Sequence, residues 1–344
     1  MGKFNGIIGT ALLAGIVFLT SANADEYKPL FGLAHGPFRE GQSPETGVFP
    51  TEAQVRQDIS LIKRLAKAER TFGCDNILFY IPQYCYEAGV DCYVGSWFNQ
   101  WDSSGDQQTV NLLLQIANQN YPTTKALIVG NEFLLGNPGG ESRLISLINQ
   151  VNSATNVPVT TAETYDTWLA HPNLASAVDF IGIHIYPYWE GISIDGAAQF
   201  VVDKYNLIKQ TFPGKEVVIF ETGWPTAGSA HYSAVPGEAN QKKFLEDFIP
   251  LAEQNNIKSF IFEGFDEPWK AKFSDVEAHW GVFYENRTLK PQLESVLNTN
   301  PADLNNDGSV DFRDLAVIKN GWLNPYDLVD YAVFANNFEW KKIQ

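Results

Sequence analysis

Cysteine, histidine and basic side chains are all scarce in this 344-residue chain, and each scarcity excludes something. Three cysteines, Cys74, Cys85 and Cys92, are too few for a disulfide-stapled scaffold. In an exported chain, Cys85 and Cys92 are spaced to close a small loop and leave Cys74 unpaired; the sequence leaves that bridge open. The five histidines are scattered with no H-E-x-x-H, no cysteine pair has metal spacing, and no G-x-G-x-x-G opens a helix after a strand. Lys and Arg number 24 against 40 Asp and Glu, a formal charge of -16. Nucleic acid and anionic membrane surfaces both require a basic face, so neither is an expected partner, and a neutral ligand fits better. An apolar run marks the N-terminus, Ile7 to Leu19, which is short for a membrane span. It follows Lys3 and precedes Ala22-Asn23-Ala24. This is the order of a secretory signal, so residues 1–24 are expected to be removed and the protein to be secreted, extracellular or periplasmic. No cysteine follows the run, which argues against a lipid-modified start.

Hydrophobic residues are plentiful at 44%, enough for a full core, and nine Trp stand out in an acidic chain. Between Asp25 and Asn298 short apolar runs alternate with stretches of helical period. The strand-like runs span 30–34, 69–73, 91–97, 126–132, 157–163, 180–187, 216–222 and 258–265. Among the intervening helical segments, 51–68 carries Val55, Ile59, Ile62, Leu65 and Ala66 at spacings of three and four, with Thr51 placed as its N-cap. The second, containing Pro82, and the fifth, around 171–178, are the weakest helices of the set. Strands alternating with helices imply a parallel sheet, and eight repeats over roughly 270 residues predict a closed (β/α)₈ barrel over 25–298.

In such a barrel the chemistry lies at the C-terminal strand ends. Strand four ends in Asn131-Glu132, and strand seven, VVIFET, ends around Glu221 before Gly223-Trp224-Pro225. Either glutamate alone reads equally well as an ion-pair partner at the rim. Two of them, each ending an apolar run and each followed by a loop signal, suit glycoside hydrolysis, where one carboxyl protonates the leaving oxygen and the other attacks or activates water. Aromatics gather after the same strand ends: Trp97, Phe98 and Trp101; Tyr165 and Trp168; Tyr186, Tyr188 and Trp189; Trp224; and Trp269. Rings concentrated in loops on one barrel face predict a cleft in which sugars stack.

The segments IVGNEFLL, IFETGWPTAG, FIGIHIYPYW, FEGFDEPWK and EAHWGVF closely resemble glycoside hydrolase family 17, the β-1,3-glucanases, in the branch seen in bacteria and fungi. The likeness covers about residues 30–292, and the pairing of GNE with ETGWP is highly specific to it. The resemblance implies a retaining mechanism on β-1,3-glucan without a catalytic cofactor, with Glu132 as acid/base and Glu221 as nucleophile. It also implies that Glu267, Lys270 and Glu277 form a polar cluster beside that pair, with Lys270 helping to keep Glu221 ionised. Trp97, Asn131, Tyr165 and Tyr186 join Trp224 and Trp269 as expected substrate contacts. His35 stands where many members of the family carry a Tyr, and is expected either to replace its hydrogen bond or only to pack. Endo or exo attack, hydrolysis or β-1,3-glucanosyl transfer, and catalysis or mere glucan binding are not separated at this level.

After Asn298 the character changes. Asp303, Asn305, Asp307, Ser309 and Asp314 occupy positions 1, 3, 5, 7 and 12 of a D-x-[DN]-x-[DN]-G calcium loop, with Gly308 at the turn. Asp311 at position 9 suits a water-mediated contact. DFRDLAVIKNGW recurs as DLVDYAVFANNF at an offset of 16, keeping Asp330 but losing the loop. The segment 299–344 thus resembles a dockerin with one degenerate repeat. It is expected to bind Ca²⁺ and either to dock on a cohesin-like partner or to serve as a calcium-stapled tail.

Overall fold

The structure is a computed structural model that describes residues 29–297. The expected signal segment and the calcium-loop residues Asp303, Asn305, Asp307, Ser309 and Asp314 lie outside the described residues. Eight parallel strands close in chain order: β1 Leu30–His35, β2 Ala66–Thr71, β3 Asp91–Ser96, β4 Thr124–Asn131, β5 Val159–Thr164, β6 Ile181–His184, β7 Val217–Thr222 and β8 Ser259–Ile261. The predicted (β/α)₈ barrel is the observed fold, although the apolar runs overestimated the last three strands at one or both ends.

Helix α1, Glu52–Leu65, begins where Thr51 predicts. Its side-chain oxygen accepts from the Gln54 N–H, and Gln54 Oε1 accepts from the Thr51 N–H at 2.8 Å, a complete capping box. The helix ends three residues earlier than its sequence pattern. Ala66 is already extended (φ -138°, ψ 153°) and pairs with Leu30, because the barrel register overrides the helical preference of Ala-Lys-Ala. Pro82 does not break α2, Ile81–Ala88, since it sits in the first turn, where its missing N–H is not needed. The remaining helices are α3 Asp106–Ala117, α4 Phe133–Gly136, α5 Glu141–Asn152, α6 Tyr165–Ala170, α7 Ile194–Thr211, α8 Glu238–Gln254 and α9 Glu294–Leu297. The weak fifth helix resolves into α6 and a 3₁₀ turn at Pro172–Ser176, so Tyr165 and Trp168 are helical rather than in a loop.

Two apolar clusters hold the barrel. One, around Ala68, Tyr93, Ala162, Val218, Phe220 and Phe260, draws on alternate residues of the strands, as a filled barrel interior requires. Tyr93, Phe220 and Phe260 meet edge-on or tilted at centroid distances of 4.9 to 6.0 Å. Gly182 makes room for them, because a Cβ there would lie 2.2 Å from the Phe220 ring. The larger cluster fills the layer between strands and helices. Cys74, Cys85 and Cys92 are buried free thiols within it, so the loop closure that their spacing permits is not formed.

Candidate active site

Glu221 is the penultimate residue of β7, with its side chain almost wholly buried (5% exposed). Arg70, fully buried on β2, and the Tyr186 hydroxyl both donate to it, and His184 Nε2 lies 3.2 Å from its Oε1. Burial alone pushes this carboxyl up. The electrostatic attraction of His184 and of the Arg70 guanidinium, with the hydrogen bonds from Tyr186 and Arg70, outweighs it and holds Glu221 below the ordinary carboxylate range. Arg70 also donates to Asn131 Oδ1, so a single cation braces both strand ends. With Oδ1 occupied, the two Nδ2 donors of Asn131 remain for a ligand.

Glu132 follows β4 in a different setting. Its side chain is 30% exposed, and its Oε1 lies 2.8 Å from His184 Nδ1. Its backbone is left-handed at φ +50°, a conformation that costs a non-glycine residue about 1 kcal/mol. Three bonds impose it. The Glu132 N–H donates to the Ala162 carbonyl at 2.7 Å, Gln100 Nε2 donates to the Glu132 carbonyl at 2.9 Å, and Glu163 Oε1 accepts the Leu134 N–H at 2.8 Å. His184 thus stands between the two carboxylates, and oxygen atoms of Glu132 and Glu221 lie within 4.8 Å of one another. The same three side chains offer a set of metal-ligand atoms; nothing in the glycosidic chemistry calls for a metal there.

A cleft of about 1090 Å³ opens over this pair. Trp97, Tyr165, Tyr186, Trp189 and Trp269 line it, as do Asn131, Glu267, Lys270 and Glu277. Burial raises Glu277 above its ordinary value, and the charges of Glu221 and Glu132 add to that while Lys270 opposes it.

Two expectations are corrected, and one left open, that for His35, is decided. Lys270 is not the cation of Glu221; its Nζ bonds Glu263 Oε2 at 2.6 Å and Glu267 Oε2 at 2.5 Å. Two carboxylates share one ammonium in a buried place, so burial and the charge of its neighbour drive Glu263 strongly up, while Lys270 keeps Glu267 low. Gly36 makes room beside them, since a Cβ there would sit 2.0 Å from Glu267 Oε2 and the carboxyl would have to shift off Lys270. Trp224 does not face the cleft. It is fully buried, donates to the Val235 carbonyl at 2.9 Å and stacks near Phe244, because the Gly-Trp-Pro turn folds it back under the loop. Trp168, Phe98 and Tyr188 are likewise buried. His35 touches the base of the cleft, but its ring is spent on packing and pairing: Nδ1 lies 3.1 Å from Glu69 Oε2 and Nε2 lies 3.5 Å from Asp58 Oδ2.

Arg70, His184 and Glu163 were missed in the sequence. Glu163 carried a signal, since it also closes a strand-like run, VPVTTAE. His184 sits inside an apolar run, where a lone polar ring signals a buried partner without naming it, whereas Arg70 follows Glu69 in the polar stretch AKAERT, which reads as an ordinary local charge pair.

A profile of the BtgE/BtgC glycoside hydrolase domain matches residues 32–281. The "Probable beta-glucosidase btgE" of Aspergillus fumigatus is 29% identical over 263 residues, which cover 73% of this chain and 45% of that one. The glucan endo-1,3-beta-glucosidase btgC of Emericella nidulans is 26% identical over 317 residues, covering 79% and 48%. The chain spans about half the length of these curated relatives. Among solved structures, a glycoside hydrolase family 17 β-1,3-glucanosyltransferase from Rhizomucor miehei superposes with a TM-score of 0.69 at 30% identity, covering 77% of this chain and 96% of that one. An active-site mutant of the same enzyme has been solved in complex with laminaritriose, at a TM-score of 0.67. With the profile spanning most of the barrel and its two carboxylates, this chain belongs to the BtgE/BtgC glycoside hydrolase domain family.

Proposed function

We propose that this protein is a secreted retaining glycoside hydrolase that cleaves β-1,3-glucan through a glycosyl-enzyme intermediate. The observation that carries the reading is the pair of carboxylates itself. Their oxygens approach within 4.8 Å, near the roughly 5 to 5.5 Å of retaining enzymes and well short of the roughly 6.5 to 9.5 Å that an inverting enzyme needs for its water. Their environments also differ in the sense the chemistry requires. Glu221 is buried, ionised and fixed by Arg70 and Tyr186, as suits a nucleophile attacking the anomeric carbon. Glu132 is more open, as suits a group that gives a proton to the leaving oxygen and later takes one from water. The substrate class rests on the btgC relative and the laminaritriose complex of the Rhizomucor enzyme. Glu221→Gln is expected to lower the rate of laminarin cleavage by about a thousandfold or more while leaving the melting temperature within a few degrees. Proton NMR of an early digest is expected to show the β-anomer first; the α-anomer first overturns the retaining mechanism.

The similarity to a glucanosyltransferase favours a second reading, in which the same intermediate passes to another sugar. Products longer than the starting laminari-oligosaccharide would establish transfer. Two further proposals rest on sequence alone: removal of residues 1–24 on export, checked by N-terminal sequencing, and Ca²⁺ binding by the loop Asp303 to Asp314, checked by calorimetric titration with and without chelator. A cohesin-like partner for 299–344 would be tested by pull-down in the presence of Ca²⁺.

A further inference from the structure

The loop between β3 and α3 holds two indoles in water. Trp97 is 58% exposed and lines the cleft; Trp101, four residues on, is 75% exposed and lies outside the cleft lining. Exposed rings of this size are costly unless something covers them. This loop is braced rather than loose. Asn99 Oδ1 accepts the N–H groups of Trp101 and Asp102, both at 2.9 Å. The Arg143 guanidinium, paired with Asp106 at 2.6 Å, donates to the carbonyls of Asn99, Gln100 and Asp102 at 2.9, 3.2 and 3.0 Å. Gln100 then reaches from the loop to the Glu132 carbonyl, so the indole-bearing segment and the candidate acid/base share one frame.

We propose that Trp97 and Trp101 form a stacking platform that continues the cleft and binds glucosyl units of a long β-glucan chain beyond those lying over Glu132 and Glu221. The proposal rests on the glucan reading above. Continuity argues for this occupant, because Trp97 belongs both to the cleft and to the loop that presents Trp101. The chemistry agrees. Among the described residues no ring contact joins the two indoles, and the intervening Asn99 and Gln100 are polar, so the loop offers two separate apolar faces in a polar stretch, which matches sugar rings better than a continuous apolar protein surface. A loop backbone already held in place presents its rings without the entropy cost of ordering the segment that carries them.

The test compares Trp101→Ala and Trp101→Phe with the wild type, reading the ratio of kcat/KM on laminarin to kcat/KM on laminaripentaose. Trp101→Ala is expected to lower this ratio about tenfold, the equivalent of one lost stacking contact, and Trp101→Phe to restore most of it. Because Trp101 is exposed, circular dichroism and melting temperature are expected to match the wild type. An unchanged ratio overturns the platform. So does a loss of dimer in the Ala variant by size exclusion, which would make a second copy of the chain the occupant. A wild type inactive on both substrates overturns the glucan reading itself and is distinguishable from either result.

Discussion

With Arg70 replaced by Met, the Glu221 carboxyl would keep its burial and lose the guanidinium that donates to it. Burial pushes a carboxyl up and a cation brings it down, so the substitution is expected to raise the Glu221 pKa. The ionised form is the nucleophile, so activity rises as pH climbs through that pKa. The acid limb of the kcat/KM profile is therefore expected to move to higher pH in Arg70→Met, with a fall of about a hundredfold on the plateau from the lost positioning of Glu221 and Asn131. An acid limb that stays in place would mean that another group sets it. Tyr186 works in the same direction, because burial first and then the Glu221 charge hold its phenol far above its ordinary value and keep it a donor. Of these residues, Glu221 and Glu132 were legible from the sequence because each closes an apolar run. Arg70 was not, since its two acceptors lie 151 and 61 residues away.

Two joints between elements carry buried ionisable groups whose raised pKa values make stability fall as pH rises, each in its own window. At the first, Glu163 on β5 accepts the N–H groups of Leu134 and Leu135 and so anchors α4 behind Glu132. Burial raises its carboxyl to about 8, the Glu132 charge adds to this, and the backbone bonds oppose it. The folded state therefore binds a proton that the unfolded chain has released, and stability falls as pH rises from about 4.5 to about 8. Urea denaturation should show that slope diminished in Glu163→Gln, while the loss of one acceptor on the α4 backbone slows catalysis. At the second joint, His35 on β1 sits between Asp58 on α1 and Glu69 on β2, with Arg39 and Arg287 also on Asp58. Burial lowers the imidazole pKa, but the Glu69 charge and the bonds to Asp58 and Glu69 more than offset it and raise His35 from 6.5 to about 9. A raised histidine stabilises the fold fully below about 6.5, and that contribution, on the order of 3 kcal/mol, is lost as pH climbs through about 9. His35→Asn is expected to be less stable at pH 6 and to lose less further stability between pH 7 and 10; parallel curves for variant and wild type would refute the charged pair. Neither joint is visible in a single element, because each is made from side chains on two or three.

At the scale of the whole molecule, the chain is strongly acidic while the proposed substrate is neutral. Raising NaCl from about 50 to about 500 mM is therefore expected to change kcat/KM on laminarin by no more than about twofold, since no long-range attraction or repulsion acts on an uncharged sugar. A steep rise with salt would point to a negatively charged substrate repelled by the protein. The alternation of strand and helix, the count of eight and the two strand ends carrying Glu132 and Glu221 followed from the sequence by itself, because periodicity and burial are local consequences of side-chain polarity. Closure of the barrel decided the rest. It brought Arg70, His184 and Tyr186 onto Glu221, gave Lys270 to Glu263 and Glu267, and turned Trp224 inward while leaving Trp97 and Trp101 in water. Those outcomes depend on which strand ends meet across the mouth and on how each loop folds back. Side-chain pairings made by closure and loop folding, from Arg70 and Glu221 at 151 positions apart to Lys270 and Glu263 at seven, leave no periodic trace in the chain that makes them.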